Sequence, residues 1–176
     1  TLGFSGDVGR DTDILMPPPL ALGAVDVLLV ESTYGNRRHP SSDTIPQQLA
    51  QIVRATVARG GSVLMPTFAV GRAQALLAVL QRLKRAGEIP AQLPIFLDSP
   101  MAIEATALYT QYRRLLRLPA REVAQLCDGV HMVATAVQSQ RLSASRRPAV
   151  ILSASGMATG GRVLHHLKNM APDARH

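Results

Sequence analysis

Short apolar runs that end in a turn and lead into a segment of helical periodicity recur along this chain, and that alternation most limits what it can fold into. "DVLLVESTYG" (26–35) reads as a buried strand that delivers Glu31 at its C-terminal end. "HPSSDTIPQQLAQIVRATVARGG" follows as an amphipathic helix. It has Ser41, Ser42 and Asp43 as cap candidates, Leu49, Ile52, Val53 and Val57 on one face, and Gly60 as the stop. "SVLMP" (62–66) is the next strand, and the helix over 71–87 places Leu76, Leu77, Leu80 and Leu83 together. "PIFLDSP" (94–100) leads into a helix that turns Ile103, Ala107, Leu108 and Leu115 inward. Pro119 starts a short helix through Leu126, "HMVA" (131–134) is a strand, and a polar stretch runs through Ser145. "PAVILSASG" (148–156) and "GGRVLHHLKNM" (160–170) close the series as strand and helix. The expected fold is α/β: a mostly parallel sheet with helices on both faces, its ligands beyond the C-terminal strand ends.

With 176 residues, 47% of them hydrophobic, the chain is long enough for one substantial core. No apolar run approaches the roughly 20 residues that span a bilayer. The first residues lack the basic and apolar regions of a signal peptide. A cytoplasmic setting without membrane association is expected. Cys127 has no partner for a disulfide and no CxxC pattern occurs, so it reads as a small buried hydrophobe near a helix end. The net charge of +7 comes from 19 Lys and Arg against 12 Asp and Glu. All of the cations but Lys84 and Lys168 are Arg, whose planar forks suit phosphate, and this favours a polyanionic partner. Three Phe, three Tyr and no Trp give no interleaved platform for stacking bases.

Polar groups gather where strands end: Asp7 in "FSGDVGR" (4–10), Glu31 with Ser32, Asp98 with Ser99, and Ser153 to Gly156. Any one of these is an ordinary cap or turn former. Together they suggest a site more strongly than any one of them does. "TFAVGRAQ" (67–74) adds Gly71 and Arg72 at a helix start, where amides and a guanidinium can meet a phosphate. "SASGMATGGR" (153–162) is a second Gly- and Ser-rich turn, with Arg162 in the first turn of the helix behind it. Neither has the Lys of a Walker loop or the spacing of the dinucleotide fingerprint.

"FSGDVGR", "DVLLVESTYG", "GGSVLMPTFAVGRAQ", "PIFLDSPMA" and "PAVILSASGMATGGR", in this order, resemble the RNA-processing branch of the metallo-β-lactamase superfamily, which carries the β-CASP insertion domain. That branch includes ribonuclease J and the endonuclease of the cleavage and polyadenylation complex. The resemblance implies a zinc-dependent ribonuclease that hydrolyses RNA, single-stranded by expectation, in a cleft between two lobes. It implies Asp7 as the ligand bridging two zinc ions. It also implies Glu31 as the acidic residue that holds a catalytic histidine beside the scissile phosphate. Residues 1–32 would then belong to the metallo-β-lactamase domain and 33–176 to a β-CASP domain cut short at its C-terminal end. Candidate RNA contacts are Tyr34, Phe68, Arg72, Ser99, Ser155 and Arg162.

The family's HxHxDH segment lies upstream of SGDxGR and its two β-CASP histidines downstream of GMxxGG; no HxH occurs here. The chain is therefore expected to be a fragment, inactive and free of zinc by itself, though a homodimer is compatible with the whole protein. His165 and His166, adjacent on a helix, point about 100° apart and are read as helix-surface residues. His39, His131 and His176 are assigned no role either. Two other readings remain: a catalytically silent β-CASP-like module that holds RNA or docks a partner, and a DNA-processing β-CASP nuclease.

Overall fold

A computed structural model describes residues 1–39 and 43–176. Strands β1 (Leu2–Phe4) and β2 (Val27–Leu29) form a two-stranded parallel sheet. Helix α1 (Ile45–Ala58) is followed by β3 (Val63–Pro66), α2 (Arg72–Arg85), β4 (Ile95–Asp98) and α3 (Pro100–Gln111). After a 3-10 turn at Arg113–Leu115 come α4 (Ala120–Ala124), β5 (Val130–Met132), α5 (Ala136–Ser143), β6 (Val150–Ser153) and α6 (Val163–Met170). The last four strands make one sheet in the order β3-β6-β4-β5, parallel at every pairing. The expected α/β class with a parallel sheet is what forms.

The chain direction across this sheet reverses once. From β3 it passes over one position to β4 and on to β5; from β5 it returns to insert β6 between β3 and β4. Right-handed crossovers put helices of opposite travel on opposite faces, and the strand side chains follow with period two. Ile95, Leu97, Val150 and Leu152 face one way, into a core with Val53 of α1, Leu77 and Leu80 of α2, Ala102 of α3 and Val123 of α4. Ile151, with Leu64 and Phe96, faces the other way onto Leu142 of α5 and Met170 of α6. Burying each of the Val, Leu, Ile and Met side chains among them contributes about 1.5–3 kcal/mol before chain entropy is set against it.

Local sequence signals set the helix limits. At the end of α1 the amide of Gly60 donates to Val57 O and that of Gly61 to Thr56 O, both at 2.9 Å. Gly60 has φ +77°, as a Schellman stop requires. The cap candidates Ser41 and Ser42 lie outside the described residues. Thr44 stands at the N-cap of α1 without a side-chain cap bond.

Several sequence expectations are corrected. The strand over 26–35 is short and exposed: among the described residues β2 pairs only with β1, and Val27, Leu28, Leu29 and Val30 keep about half of their surface open. In α1 the inward residues are Ala50, Val53 and Thr56, while Ile52 is exposed. In α3 they are Ala102, Ala105 and Thr106; Leu108 and Leu115 are exposed. The cause is a polar contact: buried Gln74 donates to Thr106 Oγ1 at 2.9 Å and to Ala102 O at 3.3 Å, which draws the small face of α3 onto α2. The polar stretch through Ser145 contains α5. Cys127 is half-buried against the larger core, and burial pushes its thiol up.

Candidate functional site

The loops that leave β1 and β2 meet at the same end of the small sheet. Ser5 donates its amide to Leu29 O at 2.9 Å, and its hydroxyl accepts from the Glu31 amide at 3.1 Å. The Glu31 carboxylate then accepts from the Val8 amide at 3.2 Å on Oε1, and from the Thr33 hydroxyl at 2.8 Å and amide at 3.3 Å on Oε2. Those hydrogen bonds, from the Thr33 hydroxyl first and the Val8 and Thr33 amides after it, hold the carboxyl below its usual range. The Val8 bond brings Asp7, the exposed preceding residue, beside Glu31. Among the described residues no group of three or more His, Cys, Asp or Glu side chains is placed to hold a metal ion.

A second polar centre lies at the C-terminal edge of the large sheet. Asp98, the last residue of β4, has no exposed side-chain surface. Its Oδ2 accepts from Ser139 Oγ of α5 at 2.5 Å and bonds His166 Nε2 of α6 at 2.7 Å. Its Oδ1 accepts from Arg162 Nη1 at 2.9 Å. Burial alone pushes the Asp98 carboxyl up, but the hydrogen bonds from His166, Ser139 and Arg162 outweigh it and keep the group below the usual carboxylate range. The Arg162 guanidinium also donates to Val133 O at 2.8 Å and Ala134 O at 2.7 Å, beyond β5. His166 is therefore a buried member of this network and not the helix-surface residue expected. Its spacing from Val163 and Met170 puts it on the inward face of α6, and exposed His165 points away. Its Nδ1 is buried without a hydrogen-bond partner among the described residues.

The remaining candidates divide by exposure. Tyr34 is open to solvent and packs edge-on against His39, with ring centroids 4.9 Å apart. Phe68, 57% exposed, lies against Gly156 so closely that a Cβ there would stand 3.0 Å from its backbone nitrogen. Ser155 is next to that contact, half-buried. Arg72 lines a cavity of about 250 Å³ with Gly9 and Arg10, so the start of α2 adjoins the loop that carries Asp7. Ser99, by contrast, is buried and caps α3 by accepting from the Ala102 amide at 3.2 Å. Arg162 has its guanidinium engaged inside the protein.

These features define a class: an α/β protein whose polar groups collect at the carboxyl edge of a parallel sheet, beside a small second sheet whose loops carry two carboxylates. The chain belongs to the β-CASP family, in the RNA-processing branch of the metallo-β-lactamase superfamily, and the Beta-Casp domain matches residues 73–176. It is 40% identical to Ribonuclease TTHA0252 of Thermus thermophilus, with 99% of this chain aligned to 41% of that protein. It is 36% identical to Transcription termination factor FttA of Pyrococcus abyssi, over 93% of this chain and 26% of the relative. An RNase J-like protein of Methanocaldococcus jannaschii is 32% identical, over 94% of this chain and 39% of that one. The chain spans about two fifths or less of the length of these relatives.

Proposed function

We propose that this chain is part of a zinc-dependent ribonuclease acting on single-stranded RNA in the cytoplasm. Residues 1–32 would contribute to a metallo-β-lactamase lobe and residues 33–176 to the β-CASP lobe facing it. The observation that carries the reading is the junction of the first two loops, where the Val8 amide bonds Glu31 and brings Asp7 and Glu31 to one end of the small sheet. The names of relatives similar over almost the whole chain, a ribonuclease and an RNase J-like protein, support RNA as the substrate.

Metal ions in such a site supply an activated water and neutralise charge building on a phosphodiester. What this chain would provide is narrower. Asp7 is one metal ligand. Glu31, kept anionic by Thr33 and Val8, is a carboxylate able to orient an imidazole. Tyr34, Phe68, Arg72 and Ser155 are the groups left free to meet bases and phosphates. The test is Asp7→Asn in the full-length protein. RNA cleavage is expected to fall to background while far-ultraviolet circular dichroism stays at the wild-type level. Turnover near the wild-type rate would overturn the assignment.

A further inference from the structure

We infer that Asp98 and Arg162 are positioning residues for RNA binding: their ion pair fixes the return of the 154–161 turn, whose exit is set by the β4–β6 pairing, and so sets where Ser155 stands. The inference rests on the reading above that this turn touches RNA. The turn leaves the sheet at Ser153, which is the cross-strand partner of Asp98 in the β4–β6 pairing. It ends at Arg162, whose Nη1 is 2.9 Å from Asp98 Oδ1. At the exit the Ser153 hydroxyl donates to the Asp98 backbone carbonyl at 3.5 Å, and at the return the Asp98 carboxylate holds Arg162, so one residue ties both ends of the segment. The Val163 amide donates to Ala154 O at 3.4 Å and closes the base of the turn.

Within that base the segment carries one hydroxyl that no protein group takes. Ser155 is half-buried and makes no side-chain hydrogen bond in the described residues, and Gly156 admits Phe68 against the backbone. Ser155 is held only through its backbone, its carbonyl accepting from the Ala158 amide at 3.1 Å, so where its hydroxyl stands follows the ends of the turn.

The network is costly for a purely structural device. A buried ion pair seldom stabilises a fold more than apolar side chains of the same volume. Here Asp98 draws donors from α5, from the start of α6 and from within α6. The planar fork of Arg162 then carries the tie onward to two carbonyls after β5. What such an arrangement gains is a fixed relation among β4, β5, α5 and the 154–161 turn. A guanidinium used this way is not available to phosphate, so the part of Arg162 in RNA binding is indirect.

The experiment measures binding of a fluorophore-labelled single-stranded RNA oligonucleotide and steady-state cleavage by the full-length protein. The variants are Asp98→Asn, Arg162→Gln and the double variant, each followed by thermal melting. For each single variant, Kd and KM are expected to rise together on the order of tenfold, with kcat falling by less, as for a displaced contact away from the chemistry. The double variant is expected to be no weaker than the worse single one, since both act through one pair. If Asp98→Asn does not fold, Arg162→Lys serves instead. It keeps the charge near Asp98 but cannot span all three acceptors, and a rise in Kd is expected there too. Variants that melt earlier yet keep the wild-type Kd and KM, or singles whose effects simply add, would overturn the inference alone. A wild-type protein that binds no RNA would instead overturn the proposed function.

Discussion

At Asp98, a carboxylate without exposed surface has its charge favoured by three donors, and this couples the fold to pH in a defined direction. Its folded-state value lies below the unfolded value of 3.8. The stabilisation is therefore complete above that unfolded value and is lost as pH falls toward the folded one. Glu31, Glu122 and Asp173 shift the same way, so acid sensitivity alone identifies none of them. The difference between wild type and Asp98→Asn removes their shared part. Urea unfolding of the two proteins between about pH 5 and pH 2 is expected to show wild type losing its advantage as the pH drops. Parallel curves would mean that the Asp98 charge contributes nothing to folding.

Elements whose buried face is leucine-rich were legible, and those whose buried face is polar were not. Leu77, Leu80 and Leu83 mark the inward stripe of α2 directly. The inward residues of α5 are Ser139, Leu142 and Ser143, a pattern with too few apolar positions to register as a helix period. A different signal was present. Thr135 accepts from the Gln138 amide at 3.2 Å, and Gln138 Oε1 accepts from the Thr135 amide at 3.0 Å, which is a capping box. The same gap hides the polar centre in the sequence: Ser139 lies in a helix without an apolar period, and the adjacent histidines read as surface although His166 repeats the inward spacing of Val163 and Met170. Asp98 was visible at a strand end, but nothing near it in sequence announces partners 41, 64 and 68 residues away. The loop junction was half-legible, since the turn residues mark the ends of β1 and β2 but not the Val8 bond to Glu31. If the capping box is what starts α5, Thr135→Ala should cost about 1 kcal/mol. Faster amide hydrogen exchange confined to residues 136–143 would accompany that loss, and an unchanged exchange pattern would sink the idea.

Across the whole molecule, the two sheets draw on different parts of the chain. The first 39 residues send one fully buried side chain into the larger core, Leu15, with Ile14 packed beside it. Leu15 is held there by its backbone: its amide donates to Asp13 Oδ1 at 2.7 Å, and its carbonyl accepts from the Arg117 amide at 2.8 Å. The small sheet itself keeps Leu2, Phe4, Val27 and Leu29 exposed, so its own apolar surface adds little to the stability of the rest. Two strands alone are marginal in water. A polypeptide of residues 43–176 should therefore fold, with the β3-β6-β4-β5 sheet intact and one cooperative unfolding transition. It should be less stable than the whole chain by about 2–5 kcal/mol, the usual cost of emptying a buried leucine site. Leu15→Ala in the whole chain should reproduce most of that loss, because the contact removed is the same. Guanidinium unfolding of the three proteins decides it: a disordered 43–176 polypeptide together with a small Leu15→Ala effect would mean that the first sheet supports the second through something other than Leu15.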